Sequence, residues 1–402
     1  MIHRDITEYI KLNAPHLPVL CILGPRQAGK TTLARSCFPD YKYFSCDKEN
    51  DVAKIEAEPA DFLEQQLSKY PGIIIDEFQY CPRILPAIKN YVDETGYNGR
   101  IVLTGSQNYL MMASITESLA GRVMLIDLLP LSINELQQAH VIPDNINKLI
   151  FRGGYPRLYA NTKLSKSITY KTYIRTYLER DIQTLQNAPN LSLFHKFLEL
   201  CAGRIGQLLN LTSLAADAKI DLKTAQQWIS LLENTYVIFL LRPHHRNFNK
   251  QLTDHPKLYF YDSGLAAQLL NIASSSTLTR HTMRGALFEN FVISECFKWY
   301  YTQDLSTHIY FWRDKEGHEI DLLIDHAEKL IPIEIKSANT ARNTMTDELV
   351  FWHNLTGHPL EDSYVIYAGP TEKSPKGPQF IPWENIPVWL TKLLEIDGRS
   401  DE

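Results

Sequence analysis

Val19-Leu20-Cys21-Ile22-Leu23 runs straight into Gly24-Pro25-Arg26-Gln27-Ala28-Gly29-Lys30-Thr31-Thr32, and a helix-forming stretch to Phe38 follows. Five apolar residues without polar alternation read as a strand buried on both faces, which is the habit of a parallel sheet. The segment after it fits G-x-x-x-x-G-K-S/T. Its glycines let the backbone bend until several N–H groups point at one anion, and the helix that begins there adds its positive end. On this reading Lys30 reaches the β- and γ-phosphates of a nucleotide and the Thr31 hydroxyl ligates Mg²⁺. Gly24, Pro25, Arg26, Gln27, Ala28, Gly29 and Thr32 complete the binding loop. An ordinary glycine turn is the competing reading, and the strand before the loop and the helix after it count against that.

Further along, Ile73-Ile74-Ile75 leads into Asp76-Glu77, a buried strand that ends in two carboxylates. Asp76 is expected in the Mg²⁺ shell and Glu77 as the group that polarises an attacking water. Two acids can also simply cap a strand at the surface, a reading the upstream loop weakens. A third run, Ile101-Val102-Leu103-Thr104, ends in Gly105-Ser106-Gln107-Asn108, polar groups at the carboxyl edge of the sheet where ligands gather. Which of Ser106, Gln107 and Asn108 senses the γ-phosphate stays open, and Ser106 is counted with the nucleotide-binding residues.

Short apolar runs alternating with helical stretches continue to Leu131, so residues 1–131 are expected to form a P-loop α/β unit. Residues 132–280 turn helical. Within them Leu211 to Ala218, a short turn, and Asp221 to Leu232 have the layout of a helix-turn-helix, and Val237 to Leu241 pairs with Lys257 to Tyr261 as a wing. Arg242, His244, His245, Arg246, Lys250 and His255 form a basic cluster between those strands, where DNA phosphates could be met. A lid or docking module without DNA contact fits the same layout. Gly153-Gly154 reads as a tight turn. Residues 281–402 bring a long helix, Gly285 to Tyr301, and strand-like runs at Ile309 to Trp312, Glu319 to Ile324 and Leu330 to Ile335.

With 402 residues, the chain is long enough for two to three domains. A hydrophobic share of 44% and a charged share of 22% exclude global disorder, and no apolar run approaches a membrane span. The net charge of -5 excludes coating of nucleic acid through overall charge, so any such contact is local. The six cysteines show no C-x-x-C pair and read as reduced thiols. Cytoplasmic location without membrane association is the expectation.

In the last unit Asp321 lies in Glu319-Ile320-Asp321, and Glu334 and Lys336 lie two apart in Ile333-Glu334-Ile335-Lys336, on one strand face. Two acids and an amine suit metal-dependent phosphodiester hydrolysis: Asp321 and Glu334 hold Mg²⁺, and Lys336 steadies the charged transition state. Glu289 could approach from the long helix. An alternating strand with an exposed ion pair explains the same residues.

The loop Gly24-Pro25-Arg26-Gln27, with Asp76-Glu77-Phe78-Gln79, Leu103-Thr104-Gly105-Ser106, Ser118-Leu119-Ala120-Gly121-Arg122, Gly153-Gly154-Tyr155-Pro156 and Arg180-Asp181, resembles the AAA-type ATP-binding proteins of bacteria and archaea. The resemblance covers nearly the whole chain. It implies ATP and Mg²⁺ as cofactors, and it makes Arg122 an arginine finger or nucleotide sensor, supplied in cis or by a neighbouring subunit of a homo-oligomer. A surface arginine closing a helix is the alternative. The C-terminal domain that accompanies this family resembles the PD-(D/E)XK nucleases in its Asp-x12-Glu-x-Lys spacing, although Ile320 stands where those enzymes often have proline. ATP hydrolysis coupled to nucleic-acid work is therefore the expected function, and a nucleotide-controlled protein-interaction switch with an inactive nuclease-like fold is its rival.

Overall fold

The computed structural model describes residues 2–106, 115, 117–178, 182, 190–244, 253–326, 329–370 and 377–395. Its first sheet contains β1 (Val19–Leu23), β2 (Lys42–Ser45), β3 (Ile73–Asp76), β4 (Ile101–Thr104) and β5 (Val123–Asp127) in the order β2-β3-β4-β1-β5. All four pairings are parallel. Successive side chains of a strand point to opposite faces, and here the two sets feed two separate cores. Val19, Cys21, Leu23, Ile73, Ile75, Ile101 and Leu103 pack on one side, and Leu20, Ile22, Ile74, Val102 and Ile126 on the other. Full burial of β1 thus follows from helices covering both faces, as its unbroken apolar run implies. β2 went unread in the sequence, because Lys42-Tyr43-Phe44-Ser45 sits at the sheet edge and carries an edge strand's mixed polarity.

Beyond β5, Ser132 caps the helix Ile133–Gln138 with a reciprocal bond to Glu135. Gly153 and Gly154 make the tight turn, and the turn tolerates nothing larger. Gly153 has φ +78°, a Cβ there would lie 2.6 Å from Asp262 Oδ1, and the Gly154 N–H donates to Asp262 Oδ2 at 2.6 Å. The helices Leu211–Ala218 and Leu222–Asn234, capped by Asn210 and Asp221, lead into an antiparallel pair, β6 (Ile238–Leu241) and β7 (Lys257–Phe260).

The second sheet has the order β12-β11-β10-β9-β8, built from β8 (Ile309–Arg313), β9 (Glu319–His326), β10 (Lys329–Lys336), β11 (Tyr364–Tyr367) and β12 (Gln379–Pro382). It is mixed: β8, β9 and β10 run antiparallel, and β10, β11 and β12 parallel. The helix Arg284–Thr302 packs against it. One apolar cluster runs without a break from Leu129 through the helices and β6–β7 into this sheet. The whole is an α/β protein in which, among the described residues, no helix is long and apolar enough to cross a membrane.

Candidate functional site

The loop after β1 is a cradle of unusual backbone: Gly24 has φ +139°, Gln27 +65° and Gly29 +99°. A Cβ at Gly24 would fall 2.2 Å from the Leu128 carbonyl oxygen, so only glycine fits. Lys30 opens the helix Lys30–Cys37, and its ammonium donates to the carbonyls of Gly24 (3.0 Å) and Pro25 (2.9 Å). Burial pushes this ammonium down to about 8, with Glu77 opposing, Arg26 reinforcing and Asp76 again opposing. A buried cation held only by carbonyl oxygens is poised for a stronger anionic partner.

Thr31 and Asp76 come together as the sequence implies: the hydroxyl lies 3.0 Å from both carboxylate oxygens. Tyr43 (2.7 Å) and Thr104 also donate to Asp76, which is buried. Two hard oxygen ligands beside a phosphate cradle suit Mg²⁺, which characteristically takes one or two protein oxygens and completes its shell with phosphates and water. Glu77 sits at φ +53° just beyond β3, and the Gln79 side-chain amide donates to its carboxylate. Arg26 bonds the Tyr80 hydroxyl at 3.1 Å. Among the described residues Ser106 Oγ is buried without a hydrogen-bond partner, an open polar group at the end of β4. Gln107, Asn108, Arg180, Asp181, His245, Arg246 and Lys250 lie outside the described residues.

Two features at the loop went unread. A cavity of about 370 Å³ adjoins it, lined by Ile2, His3, Gly29, Thr32, Leu33 and Pro156 among others. Arg4 borders that cavity and is itself buried. Its guanidinium donates to Glu135 (2.7 Å), to the Ala28 carbonyl inside the loop (2.7 Å) and to the Leu129 carbonyl (2.6 Å). No local pattern marks Arg4, because its partners lie 24, 125 and 131 residues away.

Arg122 stands at the other end of the sheet. Its carbonyl accepts from the Val19 N–H at the start of β1 (3.1 Å), and its guanidinium grips Asp93 at 2.6 and 2.9 Å. Five residues of β1, at about 3.3 Å each, separate that level from the glycine loop by roughly 16 Å, more than an arginine spans. The in-cis role expected for Arg122 is therefore corrected. It cannot reach the phosphate loop of its own chain.

In the second sheet Asp321, Glu334 and Lys336 converge. Asp321 Oδ2 accepts from the Ile335 N–H (2.8 Å) and from Lys336 Nζ (3.3 Å), and Lys336 also contacts Glu334 Oε2. Glu334 is 2% exposed and its other oxygen, Oε1, is buried without a partner among the described residues. Burial, then the Asp321 charge, hold its carboxyl well above the usual range. Glu289 reaches this neighbourhood from the helix Arg284–Thr302, bonded to Lys257 (3.3 Å) and Tyr259. Burial pushes it up to about 7 against the pull of Lys257. Among the described residues no three His, Cys, Asp or Glu side chains are grouped to hold a metal by themselves. Asp321 and the open Glu334 oxygen fit the two-carboxylate habit of Mg²⁺, which needs fewer.

A parallel sheet in this order, with a glycine cradle at the end of its interior strand β1 and a Thr–Asp pair beside it, defines a P-loop protein of the ATP-binding, ATPase-like class. Residues 16–137 match the AAA domain, 143–276 a domain of unknown function (DUF8612) and 284–386 a second one (DUF4143). The chain is 30% identical over 340 residues to the uncharacterised protein Rv2008c of Mycobacterium tuberculosis, covering 84% of this chain and 74% of that one. It is 23% identical over 357 residues to the uncharacterised protein MJ1544 of Methanocaldococcus jannaschii, covering 81% and 75%. It belongs to the family of AAA-domain proteins that includes Rv2008c. A Walker-type ATPase of Pyrococcus abyssi aligns with 67% of this chain and 96% of its own, at 15% identity and a TM-score of 0.44.

Proposed function

We propose that the protein hydrolyses Mg²⁺-bound ATP and couples the cycle to nucleic acid through its C-terminal sheet. The Thr31–Asp76 contact under a loop that only glycine can form carries the first half. In this reading the loop amides and Lys30 hold the phosphates, Thr31 and Asp76 hold Mg²⁺, Glu77 orients the attacking water and Ser106 senses the γ-phosphate. Bound there, Mg²⁺ neutralises charge on the phosphate oxygens. The apolar cavity beside Thr32 and Leu33 suits the base. The chain then divides into an ATPase unit (1–131), a helical and winged-helix unit (132–280) and a nuclease-like unit (281–402). The convergence of Asp321, Glu334 and Lys336 supports phosphodiester chemistry in the third unit. Lys336 contacts both Asp321 and Glu334, and that neutralisation from within the chain supports the rival reading, a nucleotide-controlled protein switch with an inactive nuclease-like fold.

One experiment separates them. ATP turnover with and without DNA, together with a Mg²⁺- or Mn²⁺-dependent nicking assay, should show stimulation by DNA and nicking that Lys336→Ala lowers by orders of magnitude. Turnover indifferent to DNA and no nicking would sink the nucleic-acid reading.

Arg122 then has one catalytic use left, in a neighbouring subunit's site. Mixing Arg122→Ala with Lys30→Ala protein should restore part of the ATPase rate, because mixed pairs contain one intact composite site. No restoration, with turnover per subunit independent of protein concentration, would leave Arg122 as the partner of Asp93 and nothing more.

A further inference from the structure

Lys257 belongs to β7, in the middle of the chain, yet its ammonium lies among the carboxylates of the last unit. It contacts Glu289 Oε1 at 3.3 Å and Glu319 more closely still. Asp321 is near enough to act on it electrostatically. The residue is 2% exposed. A lysine buried to this degree stays charged only where acids surround it, and here the acids are those beside the two proposed to hold Mg²⁺.

The backbone carrying Lys257 is pinned. Asn290 bonds both the N–H (2.6 Å) and the carbonyl (3.0 Å) of Phe260 at the far end of the strand. Leu208 bridges to Lys257 from the other side. The strand stays in place, so only the flexible side chain can leave. The cluster also keeps an open acceptor: among the described residues Glu334 Oε1 is buried with no donor, although Lys336 contacts the other oxygen of the same carboxylate, and Asp321 lies between Glu334 and Lys257 in electrostatic reach of both.

We infer that Lys257 is a tethered counter-ion that competes with a divalent cation for the Glu289–Glu319–Asp321 side of this cluster. With the ammonium in place the acids are neutralised from within the chain. A divalent ion that binds Asp321 and Glu334 brings charge that repels the ammonium, and Lys257 swings out as the ion enters. The inference rests on the metal reading of Asp321 and Glu334 given above, and it adds a brake that no local motif contains.

The test is Mn²⁺ affinity of the full chain without nucleotide, read from the paramagnetic resonance signal of free Mn²⁺. Lys257→Met should bind Mn²⁺ at least tenfold tighter than wild type, Lys257→Arg should stay at the wild-type value, and Asp321→Asn added to Lys257→Met should remove the gain. Equal affinity in wild type and Lys257→Met, with Asp321→Asn weakening both, overturns the role of Lys257 and spares the metal site. No Asp321-dependent binding in either protein overturns both. Should Lys257→Met not fold, the wild-type protein serves: acetic anhydride should leave Lys257 unmodified without metal and acetylate it at saturating Mn²⁺, as read by peptide mass spectrometry. Labelling that Mn²⁺ does not change overturns the inference.

Discussion

Glu77→Gln protein should bind ATP as wild type does and turn it over on the order of 10²-fold or more slowly, because a general base is lost while the phosphate cradle is untouched. The geometry makes the two effects separable. Lys30 is held by the carbonyls of Gly24 and Pro25 and Asp76 by three hydroxyls, whereas the hydrogen bond described for Glu77 is to Gln79, outside the loop. Lys30→Ala should fail earlier, losing nucleotide affinity itself, since the cation inside the cradle disappears. Binding of a fluorescent ATP analogue alongside single-turnover hydrolysis distinguishes the pair. Normal turnover by Glu77→Gln would show that another group activates the water.

The second large effect is expected at Arg4, far from any motif. Arg4→Ala removes three bonds at once and leaves Glu135, 1% exposed, buried beside Asp5 without its cation. Losing one partner of a buried ion pair typically costs about 3–5 kcal/mol. The urea midpoint should fall accordingly, and nucleotide affinity should drop with it, because the Ala28 carbonyl loses the donor that fixes the loop. Arg4→Lys should recover only a part, since the three donors of an ammonium fan out from one nitrogen and cannot reach acceptors that Arg4 meets from Nε, Nη1 and Nη2. An unchanged urea midpoint in Arg4→Ala would mean that neighbouring donors take over Glu135.

What the sequence made legible follows the range of the interactions. The glycine loop, Asp76-Glu77 and the helix–turn–helix–hairpin order are written in residues close together along the chain, where spacing alone carries the geometry. β2 was missed because an edge strand needs no apolar face pair. β11 and β12 were missed although Tyr364-Val365-Ile366-Tyr367 has a strand's β-branched and aromatic composition: each is only four residues long, and Gln379-Phe380-Ile381-Pro382 opens on an exposed glutamine and closes on proline. Arg4 and Lys257 escaped for a different reason: each is an isolated basic residue whose meaning lies wholly in partners that only folding brings near. Arg122 shows the converse. Its motif was readable, but which end of the sheet it occupies was not, and that end puts the phosphate loop of its own chain out of reach.

The uninterrupted apolar cluster from Leu129 to Leu394 bears on how such a chain can be divided. Phe239 meets Phe297 at a tilt and Tyr261 meets it edge-on, across the point where the second and third sequence matches part. A cut near residue 280 would strip that aromatic face from both fragments, leaving each with a raw apolar surface. The segments before and after it therefore cannot be exchanged among relatives as independent cassettes. A shuffled descendant would have to inherit both together, and the first unit is stitched to them as well, because Arg4 is anchored on Glu135 and Asp127 accepts from Tyr236.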